Sequence, residues 1–243
     1  MRVASLTPSN TEIVTALGLA HTLVGVDDHT DDPQAAHAAR LGPDLSIDVD
    51  RLAALRPDLV LTSLSVPGME RVVEAVERAS LPHLTLDPVT LADVTRDLHT
   101  VGAALGVPDR ADALARDFER DLAAWRVHAP TPPRVLVEWW PKPVIGAARD
   151  SWITDLLAGL GAQNALAHLP VRSAPLTPEA LRDLQLDLLV LSWCGARKLR
   201  PEVAHARGLG VPVACIHERY LGRPGPNLRE GARLIAQALG VPA

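Results

Sequence analysis

"VDRLAALRPDLVLTS", residues 49–63, and "TPEALRDLQLDLLVLSW", residues 177–193, decide the fold. Both run in the same order: a short helix, an Asp, an unbroken aliphatic run, then a turn of small residues. A short run so rich in Leu and Val reads as a strand buried on both faces, as in parallel sheets. The same unit in each half of the chain predicts two similar α/β lobes, without a tandem sequence repeat.

Outward from these stretches, the alternation continues. "RVASL" (2–6) reads as a strand, and "TPSNTEIVTALGL" (7–19) as a turn, a cap and a helix. Ser9 or Asn10 is the expected cap there, and Gly18 the stop. Further strands are expected at 22–26 and 83–86, with a helix at 68–80 between them. A helical stretch at 90–107 precedes "DRADALARDFERDLAAWRVHA" (109–129), whose apolar positions 111, 114, 118, 122 and 125 keep a helical period. After "PTPP" the pattern restarts. Strands are expected at 134–139, 187–193 and 211–216, and helices at 151–162, 177–184, 200–208 and 227–240. The division is an N-terminal α/β lobe (1–106), a linking backbone helix (107–130) and a C-terminal α/β lobe (131–243).

Composition narrows the function. At 47% hydrophobic and 22% charged, the 243 residues match an ordinary globular protein. The net charge is −5, and no basic run or basic-aromatic stripe is present, so nucleic acid is not an expected partner. Cys194 and Cys215 each follow an apolar run, as small buried hydrophobes do, and a disulfide between them stays open. No paired Cys/His spacing marks a zinc site. The opening "MRVASL" carries no secretory signal, and no span is long and apolar enough for a membrane helix. As written, the chain is expected to be a cytoplasmic monomer. A trimmed mature form would instead be periplasmic or at the cell surface.

In parallel sheets, ligands sit beyond the carboxyl ends of the strands. In the first lobe those ends are "TPSN" (7–10), "DDHTDD" (27–32) and "SLSVPG" (63–68); in the second, "WWPKP" (139–143), "SWCGARK" (192–198) and "HERYLGRPGPN" (217–227). The chain has five Trp, one Tyr and one Phe, yet Trp139, Trp140, Trp193 and Tyr220 all fall in these stretches. Rigid aromatic surface suits a large planar or apolar ligand. The competing reading is that the Trp pair plugs the gap between sheet and helix. Ser9 and Asn10 make a polar edge at a helix start, or simply a cap. The Asp residues of "DDHTDD" read as a solvated turn, with His29 free to meet a metal centre carried by the ligand. The chain has no GxSxG elbow, Walker loop or GxGxxG, so no catalytic residue and no bound metal are assigned.

Taken together, "ASLTPSNTEIVTALGL…LVGVDDHTDDP", "DVDRLAALRPDLVLTS", the linking helix, "EWWPKP" and "RYLGRPGPNLREGARLIAQAL" resemble the substrate-binding proteins of cobalamin, haem and ferric-siderophore importers, the cobalamin binders above all. The resemblance implies two Rossmann-like lobes on one backbone helix, with the ligand in the cleft between them. It implies non-catalytic capture of a cobalt corrinoid or iron chelate. Ser9, Asn10, His29 and Ser65 would line the first lobe. Trp139, Trp140 and Trp193 would give flat contact, and Tyr220 and Arg223 would hold polar edges. Arg223 reads equally as a turn residue that holds the last helix. Glu70 and Glu202 would dock on an ABC permease, or stand as solvated helix charges. Where the family carries an aromatic turn after the second strand, this chain reads "HTDDP", with His29 and Asp32. A second class stays open: a cytoplasmic metal-binding protein or enzyme on the same scaffold, using His29 with Asp28 or Asp32, or His217 with Glu218. A third is a partner-docking module with a vestigial cleft.

Overall fold

Arg2 and Arg134 show how the chain builds two similar halves. The computed structural model describes residues 1–242. In the first half, Arg2 N donates to Asp58 Oδ2 at 2.6 Å, and its guanidinium caps Leu55 O at 2.8 Å. In the second, Arg134 N donates to Asp187 Oδ2 at 2.7 Å, and its Nε reaches Leu184 O at 3.1 Å. Each Arg opens a central strand and ties it to the end of the helix that precedes the next strand. Arg56 and Gln185, at matching places between helix and Asp, both take a positive φ, 47° and 48°. The correspondence expected from the two quoted stretches thus extends to their turns.

The first unit comprises Met1–Pro88 and Asp93–Arg116. Its elements are β1 (Val3–Ser5), α1 (Pro8–Ala16), β2 (Leu23–Val26), β3 (Ala39–Arg40), α2 (Val49–Ala54), β4 (Leu59–Ser63), α3 (Glu70–Arg78), β5 (His83–Leu86), most of α4 (Leu91–Ala104) and the first part of α5 (Pro108–Ala124). The sheet runs β3-β2-β1-β4-β5, all parallel. Strand alternation splits its core in two. Val3 and Leu61 pack with Ile13, Val14, Leu98 and Val101. Ala4, Leu6 and Val60 pack with Leu52, Val72 and Val76 on the other face. The strand order reverses between β1 and β4, which opens a crevice at their carboxyl ends.

Helix α1 starts two or three residues earlier than expected. Thr7, extended at φ −146° and ψ 152°, is the N-cap and accepts from Asn10 N. Pro8 takes the first helical position, where its fixed φ is pre-organised and no N–H is needed. Ser9 and Asn10 are therefore inside the helix, not capping it. Gly18 ends the helix at φ +74°, the left-handed turn that a side chain resists.

The second unit takes Val89–Ala92 and Asp117–Ala243. It therefore claims a short piece before the linking helix: Leu91 N donates to Asp155 Oδ2 at 2.9 Å. Helix α5 runs through the boundary between Arg116 and Asp117. Ala111, Ala115 and Phe118 are its buried stripe. It ends at Ala124, so Trp125 follows the helix and does not belong to it.

The remaining elements are β6 (Arg134–Pro141), β7 (Val144–Ala147), α6 (Trp152–Gly159), β8 (Gln163–Asn164), β9 (Ser173–Leu176), α7 (Pro178–Asp183), β10 (Leu188–Leu191), α8 (Pro201–His205), β11 (Val213–Cys215) and α9 (Leu228–Ala238). The sheet order is β11-β10-β6-β7-β9, with β8 beside β6. The β11-β10-β6 part is parallel, as expected, but β7 and β9 are antiparallel additions. Their core joins Leu136, Leu189, Leu191, Leu181 and Trp193.

Candidate ligand-binding faces

The two units present their strand ends differently, and each face is built from its own residues. In the first unit the crevice between β1 and β4 is lined with hydroxyls. Thr11 Oγ1 donates to Ser5 Oγ at 2.9 Å, and Thr7 Oγ1 lies 3.1 Å from Ser9 Oγ. Asn10 Nδ2 donates to Thr62 O at 3.0 Å, tying α1 to β4. Ser9 and Asn10 are 4% and 2% exposed, so these expected site residues turn inward and hold the crevice together. Ser65, half-buried on the loop after β4, accepts from Ser63 Oγ at 2.9 Å.

"DDHTDD" is only partly the solvated turn expected. Asp27 is fully buried at the end of β2. Its carboxylate accepts from His29 N at 2.7 Å and from Thr30 Oγ1. Burial pushes the Asp27 carboxyl up, and those two hydrogen bonds draw it part of the way back. Asp28 and Asp31 are exposed. Asp32 accepts from Thr15 Oγ1 at 2.7 Å and Gln34 N at 2.9 Å, which pins the loop to α1. The fixed loop carries His29 outward, with its side chain 59% exposed and Nε2 3.7 Å from Asp44. The carboxylate beside His29 is thus Asp44, not the Asp28 or Asp32 of the metal-binding alternative. In its other set, Glu218 pairs with Arg223 at 3.0 Å and His217 Nδ1 accepts from Arg219 N at 3.2 Å. Among the described residues no group of three His, Cys, Asp or Glu side chains converges on one point.

In the second unit, β6 carries the aromatic pair. Its register with β7 runs Glu138↔Gly146 and then Trp140↔Ile145, so Trp139 is an extra residue, a β-bulge. A bulge breaks strict alternation and re-aims the side chains around it. Trp139 is half-buried and Trp140 46% exposed. Trp140 Nε1 donates to Lys142 O at 3.1 Å, which braces the exposed ring against its own hairpin. Trp193 behaves otherwise. It is 4% exposed, lies in the core, and donates from Nε1 to Glu138 Oε1 at 2.8 Å. The expected flat contact from Trp193 is corrected: the need to satisfy a buried carboxylate draws its ring inward.

Tyr220 sits half-buried on a 3-10 turn, Glu218–Tyr220, with the Arg219 guanidinium 5.6 Å above its ring. Arg223 is 7% exposed and paired with Glu218, so its reading as a turn residue is the one its contacts support. Glu70 and Glu202 are exposed in the first turns of α3 and α8. The Glu70 carboxyl is held low by its own backbone N–H and by Gly68 N, 2.7 Å away. Cys194 and Cys215 are free thiols on exposed residues, not the small buried hydrophobes expected.

Glu138 and Arg207 were missed in the sequence. Glu138 has no exposed surface, and Arg207 pairs with it through both terminal nitrogens. The signal was there: an acidic residue inside an apolar strand run has to find a partner, because a lone buried charge is too costly.

The family model described as periplasmic binding protein matches residues 3–205. The vitamin B12-binding protein of Pectobacterium carotovorum subsp. carotovorum (strain PC1) is 25% identical over 243 residues, covering 98% of this chain and 88% of its own. The uncharacterized ABC transporter substrate-binding lipoprotein YvrC of Bacillus subtilis (strain 168) is 27% identical over 253 residues, covering 98% and 79%. A periplasmic heme-binding protein from Pseudomonas aeruginosa, solved by crystallography, has 27% identity and a TM-score of 0.79, with 98% of this chain and 91% of that one covered. The two-lobe α/β expectation is borne out by this likeness. The cytoplasmic placement finds no support among these relatives. No helix of the described residues is long and apolar enough to cross a membrane.

Proposed function

Because the chain belongs to the periplasmic binding protein family, we propose that it captures a flat metal chelate, a cobalt corrinoid first and haem next, and hands it to an ABC permease. Binding is non-catalytic. The observation that carries this reading is the bulged Trp139–Trp140 pair at the carboxyl end of β6, with one indole 46% exposed and braced in place. A large exposed indole is costly to keep in water and useful against a flat apolar ring system. Tyr220 adds an aromatic edge from the same unit. In the first unit, taken by itself, His29 has an exposed imidazole of the kind that suits an axial contact to a chelated metal, and Ser65 lies half-buried on the loop after β4. Ser9 and Asn10 act behind them as supports, as Trp193 and Arg223 do in the second unit. The relatives that bind vitamin B12 and heme support this ligand class, and the lipoprotein relative supports a site of action outside the cytoplasm.

The test is a tryptophan-fluorescence titration with cyanocobalamin, cobinamide and hemin, confirmed by calorimetry because these ligands absorb the emitted light. The expected result is saturable binding at micromolar or lower concentration, lost in the Trp139→Ala/Trp140→Ala variant. Absence of binding by all three ligands would overturn the ligand class.

A further inference from the structure

The Glu138 carboxylate is fully buried, yet it belongs to a strand whose neighbours Val135, Leu136 and Val137 are aliphatic. A buried ion pair is a poor stabiliser: apolar residues of similar volume often serve as well. Its partners indicate what it fixes. Oε1 accepts from Trp193 Nε1 at 2.8 Å and Arg207 Nη2 at 2.9 Å, and Oε2 accepts from Arg207 Nη1. The same Nη2 lies 3.4 Å from Pro141 O. One guanidinium therefore spans β6 from Glu138 to Pro141, and the residues it brackets are Trp139 and Trp140. From the neighbouring strand end, Ser192 N donates to Glu138 O at 2.9 Å and Cys194 N to Trp139 O at 3.1 Å. Arg207 is itself fixed where α8 ends, its N–H donating to Ala204 O at 3.0 Å.

We propose that Arg207, through Glu138, is a positioning residue that locks the β-bulge and so sets the pose of the Trp139–Trp140 edge. Its consequence for affinity rests on the ligand reading above; its consequence for the indoles does not. A bulge has no intrinsic register to hold it, since its extra residue is left out of the ladder. The planar fork of Arg207 makes two parallel bonds to one carboxylate, a geometry that an ammonium cannot reproduce.

The experiment uses full-length protein labelled with 5-fluorotryptophan, its five fluorine resonances assigned by single Trp→Phe replacements. Two variants are compared with the parent: Glu138→Gln/Arg207→Met, which leaves no buried charge, and Arg207→Lys, which keeps the charge and loses the fork. The expected result is movement of the Trp139, Trp140 and Trp193 resonances, with Trp125 and Trp152 in place. Hemin and cyanocobalamin affinity should fall roughly tenfold or more, the scale of one lost charged hydrogen bond. A merely structural pair would lower the melting temperature and leave the Trp139 and Trp140 resonances where they were. That outcome, in whichever variant folds, overturns the proposal. If the resonances move but the parent binds none of the ligands, the positioning role stands and the ligand reading falls.

Discussion

Asp97, on α4, is 6% exposed, and its Oδ2 has no hydrogen-bond partner. Burial chiefly holds its carboxyl up at about 6; Arg96 pulls it down, and Asp93 and Asp87 push it further up. The folded state thus keeps a proton that the unfolded chain releases near the ordinary value of 3.8. The stability tied to that proton is fully present below about pH 4 and is lost as pH rises through about 6. At about 1.4 kcal/mol per pH unit, the loss is on the order of 1–3 kcal/mol. Asp97→Asn has the same shape and no titration, so its stability relative to wild type should climb between pH 4 and 7 and then level off. Urea unfolding followed by circular dichroism across that range measures it. A constant difference at every pH would show that this carboxyl does not titrate there. The same kind of residue marks the limit of what the sequence reveals. Asp27 and Asp97 read as solvent charges in a string of letters, because burial comes from neighbours distant in the chain; Glu138 was marked by its apolar run, but nothing local named Arg207 as its partner. His29 and Trp140 were legible as surface candidates because loop chemistry and the end of an apolar run mark them locally.

Among the elements, those with strong local period were legible. β4 and β10 are unbroken aliphatic runs, and α9 spaces Leu228, Ala232 and Ile235 along one face. The antiparallel β7 and β9 were not. Their sequences, "VIGA" and "SAPL", are short, and Pro175 in β9 reads as a breaker. It is tolerated because β9 is an edge strand, with no neighbour waiting for its N–H. The segment that carries Tyr220 depends on packing between elements. A Cβ on Gly231 of α9 would lie 2.2 Å from Tyr220 O and 2.6 Å from Leu221 Cδ2. From α6, Trp152 Nε1 donates to Leu221 O at 2.8 Å. Gly231→Ala sets two effects against each other. Helix propensity favours Ala by roughly 0.5–1 kcal/mol. The clash with fixed backbone costs about 1–3 kcal/mol. The clash should win, so the variant is expected to be less stable, with a changed Tyr220 environment in near-ultraviolet circular dichroism. A gain in stability would mean that α9 does not approach this turn so closely.

At the scale of the whole molecule, the two units repeat one plan, and the plan places two acids at equivalent points. Helix α3 follows β4 and leads to β5; helix α8 follows β10 and leads to β11. Glu70 opens the first of these helices and Glu202 lies in the first turn of the second, both exposed. Among the described residues neither is held in an ion pair, whereas Glu179 and Glu230 are each matched to an Arg three residues along the same helix. Carboxylates at helix starts are favoured by the helix dipole, but at the surface that contributes only a few tenths of a kcal/mol to about 1 kcal/mol. Reversing both charges should therefore change stability little. It should matter to a partner, because like charges facing each other across an interface are strongly disfavoured. In proteoliposomes carrying a corrinoid ABC permease that the wild-type protein stimulates, Glu70→Arg/Glu202→Arg should leave corrinoid affinity within about twofold, since both side chains are exposed and surface changes are usually near-neutral. Stimulation of the permease ATPase should be lost, and each single variant should fall between. If the double variant stimulates as well as wild type, these acids are solvated helix charges and the permease contact lies elsewhere. If affinity falls along with stimulation, their role is in binding, and docking is not what they serve.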